Sequence, residues 1–150
     1  MNETPTYGVT IVPNHLIGAI FPKIKPILRQ GRKYIEDYYT MGDLRRLLVN
    51  GTFQLWVAVE GPEIKTIMFT TLAVYPRSIW LQIIFVGGEQ LDKALYCLPD
   101  VERWAKAHGA IGTEMAIGRT GWERVIKKTR LKDAEVGVAF RMKFESEYQS

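Results

Sequence analysis

Three long apolar runs lie almost end to end in the middle of the chain: Phe53–Glu60, residues 64–75 and residues 78–86. Gly61-Pro62 parts the first two, and Pro76-Arg77 parts the second two. Each run is rich in β-branched and aromatic residues, and connections this short join antiparallel neighbours. The centre of the fold is therefore a three-strand meander. A sheet wet on one side would alternate apolar with polar residues. These runs are more continuously apolar, which calls for helices on both faces.

The flanks supply those helices. Residues 6–12 read as a first strand ending at Pro13. Pro13-Asn14 opens a helix over residues 15–21, and Pro22 and Pro26 are expected to break it, because each removes a backbone donor. Residues 23–32 then form a second short helix. Thr40-Met41-Gly42-Asp43 has the form of a capping box, with Asp43 in the third helical position. It leads into a helical turn over residues 44–49, stopped by Asn50-Gly51. After the meander, residues 90–108 carry apolar groups at helical spacing (Leu91, Leu95, Leu98, Val101, Ala105), with Gly109 as the stop. Pro99 should kink this helix or delay its start. Residues 111–117 are a strand after a helix, hence parallel to residues 78–86 through a right-handed crossover. Residues 122–129 form a short basic helix, and the alternation of 133–144 closes the sheet.

The expected fold class is α/β in its α+β form: three layers, a central mixed sheet with an antiparallel meander and one parallel pair, and helices on both faces. At 150 residues the chain has the size of one domain, spanning 1–150 with an ordered core from about 6 to 145. Cys97 is the only cysteine, which excludes an internal disulfide and a multi-cysteine zinc site. His15 and His108 are far apart with no matching acidic cluster, so no metal is expected. Met1-Asn2-Glu3-Thr4-Pro5 has no basic stretch followed by an apolar run, and no stretch is long enough to span a bilayer. A cytoplasmic protein without membrane contact is expected. The net charge of +4 suits an anionic ligand such as a nucleotide but does not call for nucleic acid.

The element order and particular residues resemble the GNAT (N-acetyltransferase) superfamily over nearly the whole chain, from Tyr7 to Phe144. Leu55-Trp56-Val57-Ala58-Val59-Glu60 is similar to the strand that precedes the central hairpin in that family. The strongest part of the resemblance is Trp80 to Gly88 followed by a helix ending Trp104-Ala105-Lys106-Ala107-His108-Gly109: strand, glycine turn, a helix closing in W-A-x-x-x-G, then another strand. Gly118-Arg119-Thr120-Gly121-Trp122-Glu123-Arg124-Val125 resembles small GNAT-like proteins encoded by tailed bacteriophages.

The resemblance implies acetyl-CoA as acyl donor and an amine as acceptor. It assigns the cofactor to Ile84, Phe85, Val86, Gly87, Gly88, Glu89, Gln90 and Leu91. Pantetheine would pair with backbone groups of Ile84, Phe85 and Val86 in the gap where that strand splays from residues 111–117. A pyrophosphate needs several backbone N–H donors aimed at one place, and a glycine turn entering a helix provides them. The chain departs from the family twice. The family loop reads [Gln/Arg]-x-x-Gly-x-[Gly/Ala], whereas this chain has Gly87-Gly88-Glu89-Gln90-Leu91-Asp92, with two carboxylates where a diphosphate would sit. Ile126 stands where many members place a tyrosine acid.

Amine acylation needs a base, a donor to the carbonyl oxyanion and an acid for the thiolate. Glu114 is the candidate base, on a strand face shared with Gly112 and Ala116 and opposite Thr113, Met115 and Ile117. Its plainer role is a strand-end carboxylate paired with Arg119. Tyr96 and Tyr75 are phenols that could replace the missing acid, or simply pack. Gln82, polar within an apolar run, marks a substrate-facing position or an outward-facing one. Cys97 reads as a small buried hydrophobe.

Two basic groups stand out. Arg119, Arg124, Lys127, Lys128, Arg130 and Lys132 fit either contact with a CoA phosphate or nucleic acid, or a solvated helix face. Lys23, Lys25, Arg29, Arg32 and Lys33, followed by Tyr34, Tyr38 and Tyr39, lie on helices that help to shape the acceptor pocket in the resembled family. Two functions stay open: an acyl-CoA-dependent N-acyltransferase, and a non-catalytic GNAT-fold bacteriophage protein acting as a virion component or interaction module. Self-association is open in both.

Overall fold

The computed structural model describes residues 8–89 and 98–115. As far as Met115 its elements follow the expected order: β1 (Gly8–Ile11), α1 (Ile17–Gln30), α2 (Met41–Val49), β2 (Phe53–Glu60), β3 (Glu63–Val74), β4 (Ile79–Gly88), α3 (Leu98–Ala107) and β5 (Ala110–Met115); the helix expected over 122–129 and the strand expected over 133–144 lie outside the described residues. Among the described residues, five strands form one sheet in the order β1-β2-β3-β4-β5. The first three pairings are antiparallel and the β4–β5 pairing is parallel, as a crossover through α3 requires.

The faces of the sheet divide as the continuous apolar runs demand. On one side Ile17, Phe21, Ile24 and Leu28 of α1 and Leu44 and Leu48 of α2 pack on Phe53, Leu55, Val57, Ile67, Phe69 and Phe85. On the other, Leu98, Val101 and Ala105 of α3 pack on Trp56, Met68, Leu81, Ile83 and Val86. Burying one such aliphatic side chain contributes about 1.5–3 kcal/mol, so both faces are strongly held.

Two expectations are corrected. The helix expected to break at Pro22 and Pro26 runs unbroken from Ile17 to Gln30. The two prolines are four residues apart and both exposed, so they share one wet face. The carbonyls that lose their donors lie at Gly18 and Pro22, also exposed, where water can replace the bond. The buried stripe on the opposite face holds the helix together. Secondly, Gly87 and Gly88 do not end β4. They continue it, paired with Ile67 and Thr66 of β3.

The capping box at α2 forms as read. Thr40 Oγ1 accepts from the Asp43 amide at 3.0 Å, and Asp43 Oδ2 accepts from the Thr40 amide at 2.9 Å. These bonds hold the Asp43 carboxyl below its ordinary pKa, the backbone bond contributing most. A short 3-10 turn, Asn14–Leu16, leads into α1.

The β4 ladder carries one extra residue. Phe69 pairs with Phe85, but the next residue of β3, Thr70, pairs with Ile83. Ile84 is the bulge. Before it, Ile79, Leu81 and Ile83 face α3; after it, Val86 faces α3 and Phe85 turns to α1. Bulges bend a strand and sharpen its twist.

Gly88 has φ +112°, and a Cβ there would stand 2.3 Å from the Lys65 carbonyl oxygen. Gly61, in the β2–β3 turn, has φ +63° with open space around it. Gly61→Ala should therefore cost only the left-handed backbone penalty, about 1–2 kcal/mol. Gly88→Ala should cost clearly more, because the clash adds to that penalty. Urea denaturation of the two variants side by side checks the order.

Candidate functional site

Parallel pairing sets Gln82 of β4 opposite Glu114 of β5, with Ile83 opposite Met115 beside them. Alternation then puts Gly112 and Glu114 on the face turned away from α3. Thr113 points the other way and donates to Glu102 of α3 at 2.9 Å. This is the division of faces read from the sequence for residues 112–115. Ala116, Ile117 and Arg119 lie outside the described residues.

Glu114 is not isolated. Tyr75, just beyond the end of β3, donates its phenolic proton to Glu114 Oε1 at 2.8 Å. Gln82 Nε2 reaches the same oxygen at 3.5 Å and the Tyr75 hydroxyl at 3.5 Å, the outer limit of a bond. The hydrogen bond to Glu114 raises the Tyr75 pKa above that of a free phenol. A phenol in that position is a poorer acid, and its proton is already engaged. Tyr75 is thus badly suited to protonating a thiolate and well suited to holding a carboxylate in place.

Trp80 completes this corner. It precedes Gln82 on the same face of β4 and pairs with Ala73 of β3. Its indole lies over Gly112: a Cβ there would come within 2.4 Å of Cζ3 and 2.9 Å of Cε3. The indole N–H donates to Ser78 Oγ at 2.9 Å. Trp80, Gln82, Gly112 and Glu114 are all half-buried, and Tyr75 is exposed. The Trp80–Gly112 contact went unread in the sequence. A glycine inside an apolar strand is the signal that would have pointed to it, since it marks close approach by another group.

Ile84, Phe85 and Val86 follow on β4. The described β4–β5 pairs end at Ile83 and Met115, whereas β4 stays paired with β3 through Gly88. The residues that follow Met115 lie outside the described part.

The glycines themselves are explained by packing. A Cβ on Gly87 would meet the Phe85 ring at 2.6 Å and Ile27 of α1 at 3.2 Å. The Glu89 amide donates to the Lys65 carbonyl at 2.9 Å, and Thr66 Oγ1 donates to the Glu89 carbonyl. Lys65 Nζ lies 2.7 Å from Glu63 and 3.6 Å from Glu89. These contacts raise the Lys65 pKa, Glu63 contributing most, and lower that of Glu63. The Glu89 charge, which the sequence sets against a diphosphate, is thereby partly compensated.

The W-A-x-x-x-G ending of α3 also has a packing basis. Trp104 meets Trp56 edge-on at 5.6 Å, Ala105 is buried, and Gly109 takes φ +95° to turn the chain into β5. His108 Nδ1 lies 2.8 Å from the Trp104 carbonyl, as expected of a histidine at a helix C-terminus. A cleft of about 580 Å³ lies between α3 and β5, lined by Glu102, Arg103, Lys106 and Thr113 among others. It does not lie between β4 and β5, where the acyl-donor arm was expected.

Several expected residues lie outside the described part: Tyr96, Gln90, Leu91, Cys97, Ile126, the basic residues from Arg119 to Lys132, and residues 118–125 that carried the bacteriophage resemblance. On α1 and after it, Lys23, Arg29, Arg32 and Lys33 are exposed, and Arg32 pairs with Glu36 at 3.3 Å. Among the described residues, no helix is long and apolar enough to cross a membrane, and no group of three His, Cys, Asp or Glu side chains could hold a metal ion.

No known family profile and no curated protein matches the chain in sequence. Solved structures do match its fold. An aminoglycoside acetyltransferase from an uncultured soil metagenomic sample, in complex with sisomicin, superposes with TM-score 0.69 at 10% identity, over 91% of this chain and 95% of that one. A predicted acetyltransferase with acetyl-CoA from Clostridium acetobutylicum gives 0.64 at 14% identity, over 95% and 98%. A ribosomal-protein-alanine N-acetyltransferase from Brucella melitensis biovar Abortus 2308 gives 0.64 at 8% identity, over 93% and 100%. A GNAT family acetyltransferase from Staphylococcus aureus gives 0.59 at 9% identity. The fold expected from the sequence is the fold found, that of the GNAT acetyltransferases.

The Tyr75–Glu114 bond gives a direct prediction. Glu114→Gln replaces a charged acceptor by a neutral one, so the Tyr75 pKa should move down toward the ordinary phenol value of about 10. Tyrosinate absorbance followed against pH, with the curve of the corresponding Tyr75→Phe protein subtracted, isolates that one group.

Proposed function

We propose that this chain is an acyl-CoA-dependent N-acyltransferase that transfers an acetyl group to a primary amine. What carries the reading is the placement of Glu114: a half-buried carboxylate on β5, opposite Gln82, two residues before the bulge at Ile84. The likeness to acetyltransferase folds, one of them solved with acetyl-CoA, supports the same reading. Ile84, Phe85 and Val86 would hold the pantetheine arm along the β5-side edge of β4. Gly87, Gly88 and Glu89 position the start of the segment that would meet the phosphates, a segment continuing through Gln90 and Leu91. When bound, acetyl-CoA supplies an activated acyl carbonyl.

The chain's own residues prepare the acceptor. An alkylammonium is not a nucleophile until it loses a proton. Glu114 takes that proton, directly or through one water, and leaves a free amine. Tyr75 and Gln82 hold Glu114 Oε1 on its strand, leaving Oε2 to face the acceptor. The acid that serves the departing thiolate would be Tyr96, since Tyr75 is engaged.

The competing reading is a non-catalytic GNAT-fold protein, such as a bacteriophage virion component or interaction module. Anchoring of Gly88 and Glu89 to β3 favours it, because the Glu89 amide is already used within the protein. Acetyl-CoA separates the two. Calorimetry should show saturable binding, and Glu114→Gln should keep that binding while lowering kcat by about a hundredfold or more. No heat and no thermal stabilisation at millimolar acetyl-CoA would reject the transferase.

A further inference from the structure

The transferase reading assigns Glu114 to a proton but leaves the acceptor unspecified, and the corner around it is more selective than that role requires. On one side of the carboxylate lie Tyr75 and Gln82. On the same face, along β4, lies the Trp80 indole, flanked by Ala73 and laid over Gly112. Both flanking positions are small. A side chain at 112 would displace the ring, and the ring remains half-buried rather than sealed in a core. Its N–H is committed to Ser78. What the indole has left to offer is an apolar, electron-rich surface beside a carboxylate.

That pairing recognises a particular chemistry. A carboxylate balances one ammonium, and an indole face attracts a cation within about 6 Å while burying the carbons next to it. Among Tyr75, Trp80, Gln82 and Glu114, Glu114 is the only carboxyl group. A polycation would need further acids; a monoamine would not. A strongly hydroxylated acceptor would gain nothing from the indole.

We propose that Trp80, seated on Gly112, is the specificity-determining residue of the acceptor site, and that the site takes an alkyl monoamine with an apolar segment next to the nitrogen. The ammonium meets Glu114 and the adjoining carbons lie on the indole. Gly112 is the seat, and it is glycine because nothing larger lets the ring lie down. The proposal rests on the acyl-transfer reading for its biological sense, but the binding it describes is measurable without an acyl donor.

The test uses the whole chain, without acetyl-CoA, and three probes: phenethylamine, its neutral counterpart 2-phenylethanol, and ethanolamine. Binding is followed by calorimetry. Phenethylamine should bind at least about tenfold tighter than 2-phenylethanol, and Glu114→Gln should erase that difference. Trp80→Ala should weaken phenethylamine by about tenfold and leave ethanolamine unchanged, while Trp80→Phe, which keeps a ring, should restore most of the loss. Gly112→Ala should behave like Trp80→Ala if its melting temperature stays near that of the parent. Should Gly112→Ala fail to fold, the Trp80 pair decides alone.

Equal binding of phenethylamine to the parent and to Trp80→Ala overturns the proposal, as does equal binding of the amine and the alcohol. Failure of the transferase reading looks different. Selective amine binding without acetyl-CoA binding would sink the transferase and keep the subsite, whereas acetyl-CoA binding without amine selectivity would do the reverse.

Discussion

One surplus residue in β4 decides what can stand where in this molecule. With Ile84 bulged out of the ladder, the strand keeps apolar side chains on both faces yet changes which parity serves which helix layer. Leu81 and Ile83 belong to α3, Phe85 turns to meet Phe69 under α1 at 6.1 Å, and Val86 returns to α3. Before the bulge the outer face of β4 is left to Trp80 and Gln82. After it that face is core. The corner of Trp80, Gln82 and Glu114 therefore begins where the packing of α1 stops, and the bulge draws the line between them.

The centre of this fold was legible because its signals are local. The meander follows from apolar runs separated by Gly-Pro and Pro turns, and the start of α2 from four residues that cap one another. The proline-broken helix was misread for a physical reason. Pro22 and Pro26 carry a strong local penalty, but the stripe of Ile17, Phe21, Ile24 and Leu28 is a tertiary contribution that local reading cannot weigh. Gly87 and Gly88 look like a turn in sequence because glycine pairs usually are one. Here their lack of side chains answers the Phe85 ring and the Lys65 carbonyl, neither visible until β3 lies beside β4.

The site was legible in part. Glu114 and its strand face could be placed by alternation alone. Its partners could not, because Tyr75 is 39 residues away and Gln82 is 32. The antiparallel β3–β4 pairing and the parallel register of β4 and β5 bring them together. The same register sets Gly112 under Trp80. The corner is thus a property of strand pairing rather than of a motif, which is why residues without any recognisable spacing converge on one carboxylate.

Lys65 holds the end of β4 from an unexpected direction. Its carbonyl receives the Glu89 amide and its ammonium spans Glu63 and Glu89, so the start of β3 grips the chain at the end of β4. The end of β4 is consequently tied to β3, and the tip of the β2–β3 hairpin fixes its position from that side.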